Sequence, residues 1–204
     1  MSYFFPLIKR EEIAEKTVAI WLDRKGTDFD FKAGQNVDLN GTRTFSIASS
    51  PNDKNEIMIA WRESDSDFKK DFLKIPIGTK IKVDGSFGDF TLPKKANRPI
   101  IMLAGGIGIT PMISMILDAT ERKLPHKITL VYKNKSPARA AFMDELKQLE
   151  IQNPNFSLSF SLSTLRFALY YISGKPGFVA AMRQELESKG IDETNIKTEE
   201  FDGY

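Results

Sequence analysis

The sequence predicts two units, a small antiparallel β-barrel followed by an α/β parallel-sheet domain. Three observations predict it. The chain has 204 residues, 41% of them hydrophobic, which exceeds one average domain and suffices for substantial cores. Up to about Leu92 the apolar runs are short and broken by turn residues. Around residues 93–99, PKKANRP, the rhythm changes, and a strand, a glycine-rich turn and a helix follow in order. The expected units are therefore residues 1–96 and 97–204.

Residues 17–22, 36–39, 44–47, 56–61 and 79–83 read as strands, because they alternate with period two or are rich in branched and aromatic residues. Gly26, Gly34, Asn40-Gly41, Pro51-Asn52, Gly78 and Gly85 punctuate them. Residues 65–73 are the exception: Phe68, Phe72 and Leu73 share one face of a short covering helix. Beyond the linker, residues 100–104 are apolar without alternation, as in a parallel strand covered on both faces. A helix over 112–119, a strand over 128–132, a helix over 138–150, strands over 156–160 and 168–173, and a helix from Pro176 to Lys189 stopped by Gly190 complete the pattern. The link between the strand ending near Leu162 and the one starting at Ala168 is shorter than a parallel crossover requires. A segment missing near Ser163 and Thr164 is the expectation.

With no Cys, the chain carries no disulfide, no cysteine-ligated zinc or iron-sulfur cluster and no thiol nucleophile. His126 is its sole histidine, so no multi-histidine metal site is expected, and an exposed turn is the expected place for it. A net charge of +2 is too close to balance to argue for a nucleic-acid partner, and none is expected, although a local basic patch could exist. No apolar stretch reaches the ~18 residues of a membrane span. The first residues have their charges in the wrong order for a secretory signal, and a cytoplasmic location is expected.

Four segments could carry chemistry. Gly105-Gly106-Ile107-Gly108-Ile109-Thr110-Pro111 follows a buried strand; its glycines and the next helix's free N–H groups could receive a pyrophosphate, or they form a tight packing turn. Pro111 suits the helix's first turn. Along residues 43–48, Arg43, Phe45 and Ile47 alternate with Thr44, Ser46 and Ala48, offering a cation, a flat ring and a hydroxyl to a planar anionic cofactor. Arg62 and Lys69 could add phosphate contacts or be surface charge. Gly85, Phe87 and Gly88 form a glycine loop at a strand end, and Ser173-Gly174-Lys175-Pro176 repeats the strand, turn, helix order late in the sheet. The tail from Glu199 ends on Tyr204, which suggests docking onto the body.

In this order, the segments 43–46, 85–90, 104–112, 170–176 and 199–204 resemble the motif set of the ferredoxin-NADP reductase-like flavoprotein family over nearly the whole chain. The resemblance implies a Greek-key barrel that binds FAD, occasionally FMN, and an α/β domain that binds NADP or NAD as a diffusible co-substrate. It implies that Arg43 holds the flavin phosphate, Phe45 packs on the flavin and Ser46 sits near the reactive ring nitrogen, with Thr44 and Ile47 beside them. Gly85, Phe87 and Gly88 match a second flavin-side loop. Gly105, Gly106, Gly108, Thr110 and Pro111 match the nucleotide turn, and Ser173 and Gly174 the loop near the nicotinamide, where Lys175 interrupts the family's Gly-Pro pair. Glu199 or Glu200 matches the carboxylate near the flavin, and Tyr204 could cover the ring. The implied activity passes electrons from NAD(P)H through FAD to an external acceptor such as a small redox protein. The alternatives are a reductase of free flavin and a cofactor-binding subunit of a larger assembly. Lys133, Lys135 and Arg139 lean toward NADPH without excluding NADH.

Overall fold

The computed structural model describes residues 2–201. Its first sheet contains β1 (Ser2–Ala14), β2 (Thr17–Asp23), β3 (Asn36–Leu39), β4 (Arg43–Ser46), β5 (Glu56–Arg62) and β6 (Lys80–Phe87), antiparallel and ordered β4-β3-β6-β1-β2-β5. An isolated bridge from Ile47 to Ile59 brings the chain after β4 against β5. The short helix α1 (Asp67–Phe72) forms where the spacing predicts it and buries Phe72.

β1 is one of two strands that sequence reading missed. Residues 2–6 pair with β6, and residues 7–14 pair with β2. Pro6, which has no N–H to give, stands where the partner changes. The run Lys9-Arg10-Glu11-Glu12 then hides the apolar alternation.

The second sheet is parallel and contains β7 (Ile100–Gly105), β8 (Ile128–Lys133), β9 (Phe156–Ser159), β10 (Leu169–Gly174) and β11 (Ile196–Glu200), ordered β11-β10-β7-β8-β9. Helices α2 (Ile109–Glu121) and α3 (Met143–Gln152) pack with Met102 and Leu130 on one face; α4 (Pro176–Ser188) packs with Leu103 and Ile172 on the other. α3 begins at Met143 rather than residue 138, because a tight turn at Pro137–Arg139 and a left-handed Phe142 (φ 63°) occupy the expected first turn. β11, which the sequence pattern did not reveal, carries the expected docking of the tail as far as Phe201.

β9 and β10, whose short link suggested a missing segment, are not neighbours. β8 and β7 lie between them, and residues 160–168 make the crossing without a helix. On the face of β8 and β9 away from α2 and α3 stand Thr129, Ser157 and Ser159, with the Thr129 and Ser157 hydroxyls 3.2 Å apart. At the sheet edge, the Leu158 N–H donates to the Glu150 carboxylate at 2.6 Å, which blunts an otherwise open strand.

β2 and β5 are buried on both sides. Ile20, Leu22, Ile57 and Ile59 point into the first sheet's core, while Ala19, Met58 and Ala60 join the cluster that holds Met112, Ile116 and Tyr171. This apolar seam, rather than a flexible hinge, fixes one sheet against the other. Polar bonds cross it: Ser114 Oγ donates to the Ser49 carbonyl at 2.7 Å and Tyr171 OH to the Thr91 carbonyl at 2.8 Å. His126 is not in an exposed turn. It is 5% exposed, with Nε2 2.9 Å from the Pro93 carbonyl oxygen, because the linker folds over it. Among the described residues no helix is long and apolar enough to cross a membrane.

Candidate functional site

A cavity of about 430 Å³ opens where the two sheets meet, within the range of small-molecule sites. β4 lies at the end of the strand order, and Arg43, Thr44, Phe45 and Ser46 all reach the cavity. The second sheet contributes Ile107 and Thr110 from the turn after β7, and Glu199, Glu200 and Phe201 from β11 and the residue after it. Asn36, Thr42, Ala60, Trp61, Ser66 and Lys69 complete the wall.

Two cations line this space. Lys69 is pushed down to about 8, first by burial and then by the Arg43 and Lys175 charges, and its Nζ donates to the Arg62 carbonyl at 3.1 Å. A partly desolvated ammonium next to a guanidinium favours an anion in the gap. The aromatic wall is built on Phe45, whose ring lies 5.7 Å from Trp61 and 6.0 Å, stacked, from Phe68.

The carboxyl group is Glu199. Burial pushes it up to about 7, the Asp89 charge acts in the same direction, and hydrogen bonds from Asn36 and Ser46 act against both. Ser46 Oγ donates to Oε2 at 3.3 Å and Asn36 Nδ2 to Oε1 at 3.4 Å. Parallel pairing sets Ser173 directly beside Glu199, and Ser173 is fully buried. Its Oγ, like Trp61 Nε1, has no hydrogen-bond partner among the described residues. Buried polar atoms are normally satisfied, and Trp61 lines the cavity, so its N–H is a place where a ligand would complete the bonding; Ser173 does not line the cavity.

The glycines divide into two kinds. A β-carbon on Gly108 would sit 2.2 Å from the Ser173 carbonyl oxygen, one on Gly105 would sit 2.6 Å from the Phe178 ring, and one on Gly174 would sit 3.0 Å from the Gly105 oxygen. These three are required by packing between β7, β10 and α4, as in the tight-turn reading. Gly106 (φ +57°) has only an Arg62 nitrogen at 3.8 Å, so it is the glycine of this turn that leaves room for a ligand.

Arg62 is not among the cavity-lining residues. It is 8% exposed and donates to the Glu15 carbonyl at 2.8 Å, the Arg139 carbonyl at 3.0 Å and the Thr17 hydroxyl. It latches the first sheet to the turn after β8. Ile47 is fully buried in the first core, and Pro111 is buried in the first turn of α2; neither lines the cavity. Gly85, Phe87 and Gly88 stand outside it too, with Phe87 exposed and Gly88 against the Asn36 amide. Tyr204 lies outside the described residues. Asn36 and Trp61 were missed by sequence reading, because a polar strand-start residue and a core-type tryptophan carry no local signal.

Cations, a flat aromatic face, a hydroxyl, a carboxyl and an unsatisfied buried donor fit a phosphate-bearing, planar heteroaromatic cofactor. Residues 102–164 match the oxidoreductase NAD-binding domain family. The reductase component of phenol 2-monooxygenase from Pseudomonas sp. strain CF600 is 31% identical over 149 residues, covering 70% of this chain and 41% of that protein. The toluate 1,2-dioxygenase electron transfer component of Pseudomonas putida is 25% identical over 219 residues, 93% of this chain and 65% of that one. The chain thus spans only part of these curated relatives. In structure it is similar to a ferredoxin NADP+ reductase from Neisseria gonorrhoeae with bound FAD and NADP (TM-score 0.82, 19% identity, 98% of each chain). It is also similar to the FAD/NAD-binding domain of nitric oxide dioxygenase from Vibrio cholerae (TM-score 0.81, 19% identity, 97% and 98% covered).

Proposed function

Starting from a chain that is a homologue of the ferredoxin-NADP reductase-like flavoproteins, we propose that it is an oxidoreductase passing electrons from NAD(P)H through bound FAD to an acceptor outside the chain. Residues 1–96 are read as the flavin-binding Greek-key barrel and 97–204 as the nucleotide-binding domain. The observation that carries the reading is convergence. Ser46, near one end of the sequence, donates to Glu199, near the other, in a cavity that also holds Arg43, Phe45 and Lys69.

The flavin would supply the redox chemistry, accepting a hydride and releasing electrons. The chain's residues bind, orient and exclude water. Arg43 and Lys69 hold the cofactor phosphate, and the Phe45 ring covers an apolar face. Ser46 offers a hydrogen bond at the reactive edge. The turn at Gly106 and the N–H groups opening α2 receive the nucleotide's pyrophosphate. Ser173, beside Glu199 at the end of β10, would help position the nicotinamide end of the nucleotide. Glu199 is poised to hold or release a proton near neutrality, as a group serving a proton-coupled step should be. These 204 residues hold no cysteine to ligate a cluster, and a small redox protein or redox module fits as the acceptor.

The test is the visible spectrum of the purified chain with FAD, followed by anaerobic titration with NADPH and NADH. Bleaching of the flavin bands by either nucleotide is expected. A bound flavin that neither nucleotide bleaches would overturn the reductase reading. A colourless protein that nonetheless reduces added flavin would favour a reductase of free flavin.

A further inference from the structure

Asn36 and Ser46 are direct partners across β3 and β4, so their side chains leave the sheet on the same side. Both end on one carboxyl group: Ser46 Oγ is 3.3 Å from Glu199 Oε2, and Asn36 Nδ2 is 3.4 Å from Oε1. Gly88 leaves room for the amide, since a β-carbon there would come within 3.0 Å of Nδ2. Asn36 is also bracketed by its backbone pairing with Phe87 on β6. Ser46 could satisfy one carboxylate oxygen alone; the second oxygen, in a mostly buried site, is the one Asn36 serves.

We propose that Asn36 is a positioning residue which, with Ser46, forms a two-donor fork fixing the Glu199 carboxyl and favouring its ionised form. The inference rests on the reading of this cavity as the flavin site, and it adds a residue that no sequence motif marks. The direction follows from charge. An amide N–H aimed at a carboxylate stabilises the anion more than the neutral acid, which lowers the pH at which the proton leaves. The surrounding groups give Glu199 little other help. Asp89, in the segment after β6, opposes ionisation. Ser173 on β10 and Thr110 on α2 are neutral. Arg43 on β4, Lys69 on α1 and Glu200 on β11 are the other charged groups lining the cavity. Lys197, earlier on β11, donates to the Asp89 carbonyl at 3.1 Å instead.

The experiment is a carbon-13 titration of the full chain labelled in its glutamate carboxyls, with and without FAD. The Glu199 signal is assigned by its loss in Glu199→Gln. In Asn36→Leu, which keeps the volume and removes the donor, the midpoint should rise by about one pH unit, the scale of one hydrogen bond to a charged group. Asn36→Gln, which keeps an amide, should stay nearer the parent, and Asn36→Asp, which adds a like charge, should rise further. A midpoint unchanged in Asn36→Leu overturns the proposal. If the Leu variant fails to fold, Asn36→Asp decides, and an unchanged midpoint there counts against it equally. Because the signal is read in the chain without flavin as well, failure of flavin binding sinks the functional reading and leaves this result standing.

Discussion

The carbonyl oxygen of Ser173 stands 2.2 Å from where a β-carbon on Gly108 would lie, so the turn after β7 and the end of β10 can approach only because Gly108 has no side chain. Gly108→Ala must push these strand ends apart and should cost about 1–3 kcal/mol, the usual price of overpacking. Gly177, on the first turn of α4, has nothing within 4 Å of its added carbon, and Gly177→Ala should be neutral or stabilise by about 0.4–1 kcal/mol. Thermal melts of the two variants side by side check this, and equal melting temperatures would refute the packing role.

Exchanging Ser46 for Ala removes a donor at the candidate reactive edge without opening the phosphate end. Flavin reduction by NAD(P)H should slow by more than the flavin dissociation constant rises. Stopped-flow reduction and a fluorescence binding titration separate the two, and an unchanged reduction rate would count against Ser46.

Arg43 and Arg62 should part company. Arg43→Ala should weaken flavin binding at least tenfold, about 1.4 kcal/mol, with little loss of stability. Arg62→Met leaves the Arg139 carbonyl across the seam, and the Glu15 carbonyl and Thr17 hydroxyl within the first sheet, without their donor, and should cost about 2–3 kcal/mol of stability, with a smaller effect on flavin affinity. Denaturation curves and flavin titrations on both variants decide; a reversed pattern would return Arg62 to the binding site.

Glu199 links the site to pH. Its native value is pushed from the ordinary 4.5 up to about 7, so the folded chain holds this proton more tightly than the unfolded one. The stabilisation is complete below about 4.5, declines as pH climbs through 7, and is gone above it; its ceiling is roughly 3 kcal/mol. Chemical denaturation between those limits should show a slope in the parent that Glu199→Gln lacks. Parallel slopes in the two proteins would contradict the assignment.

The sheet division, α1, α2, α4 and the candidates Arg43, Phe45, Ser46, Thr110 and Glu199 were legible because each sits in a local pattern: an alternating strand, a glycine turn, an aromatic-rich tail. β1 was not, since one strand serving two partners has no single period. The link after β9 is hard to read from sequence for a related reason. Strand order decides what a connection must span, and order is a property of the whole sheet. Arg62 shows the same limit at the level of one side chain. A cation near a cofactor motif looks the same in sequence whether it meets phosphate or main-chain carbonyls. Asn36 entered the site only through its partner across the sheet.

The link over residues 160–168 also defines where this molecule can be cut or extended. It carries Phe160 and Phe167 in solvent and lies outside every strand and helix. New chain ends opened within the link would leave both sheets intact, which makes it the natural seam for circular permutation or for grafting an electron-accepting module.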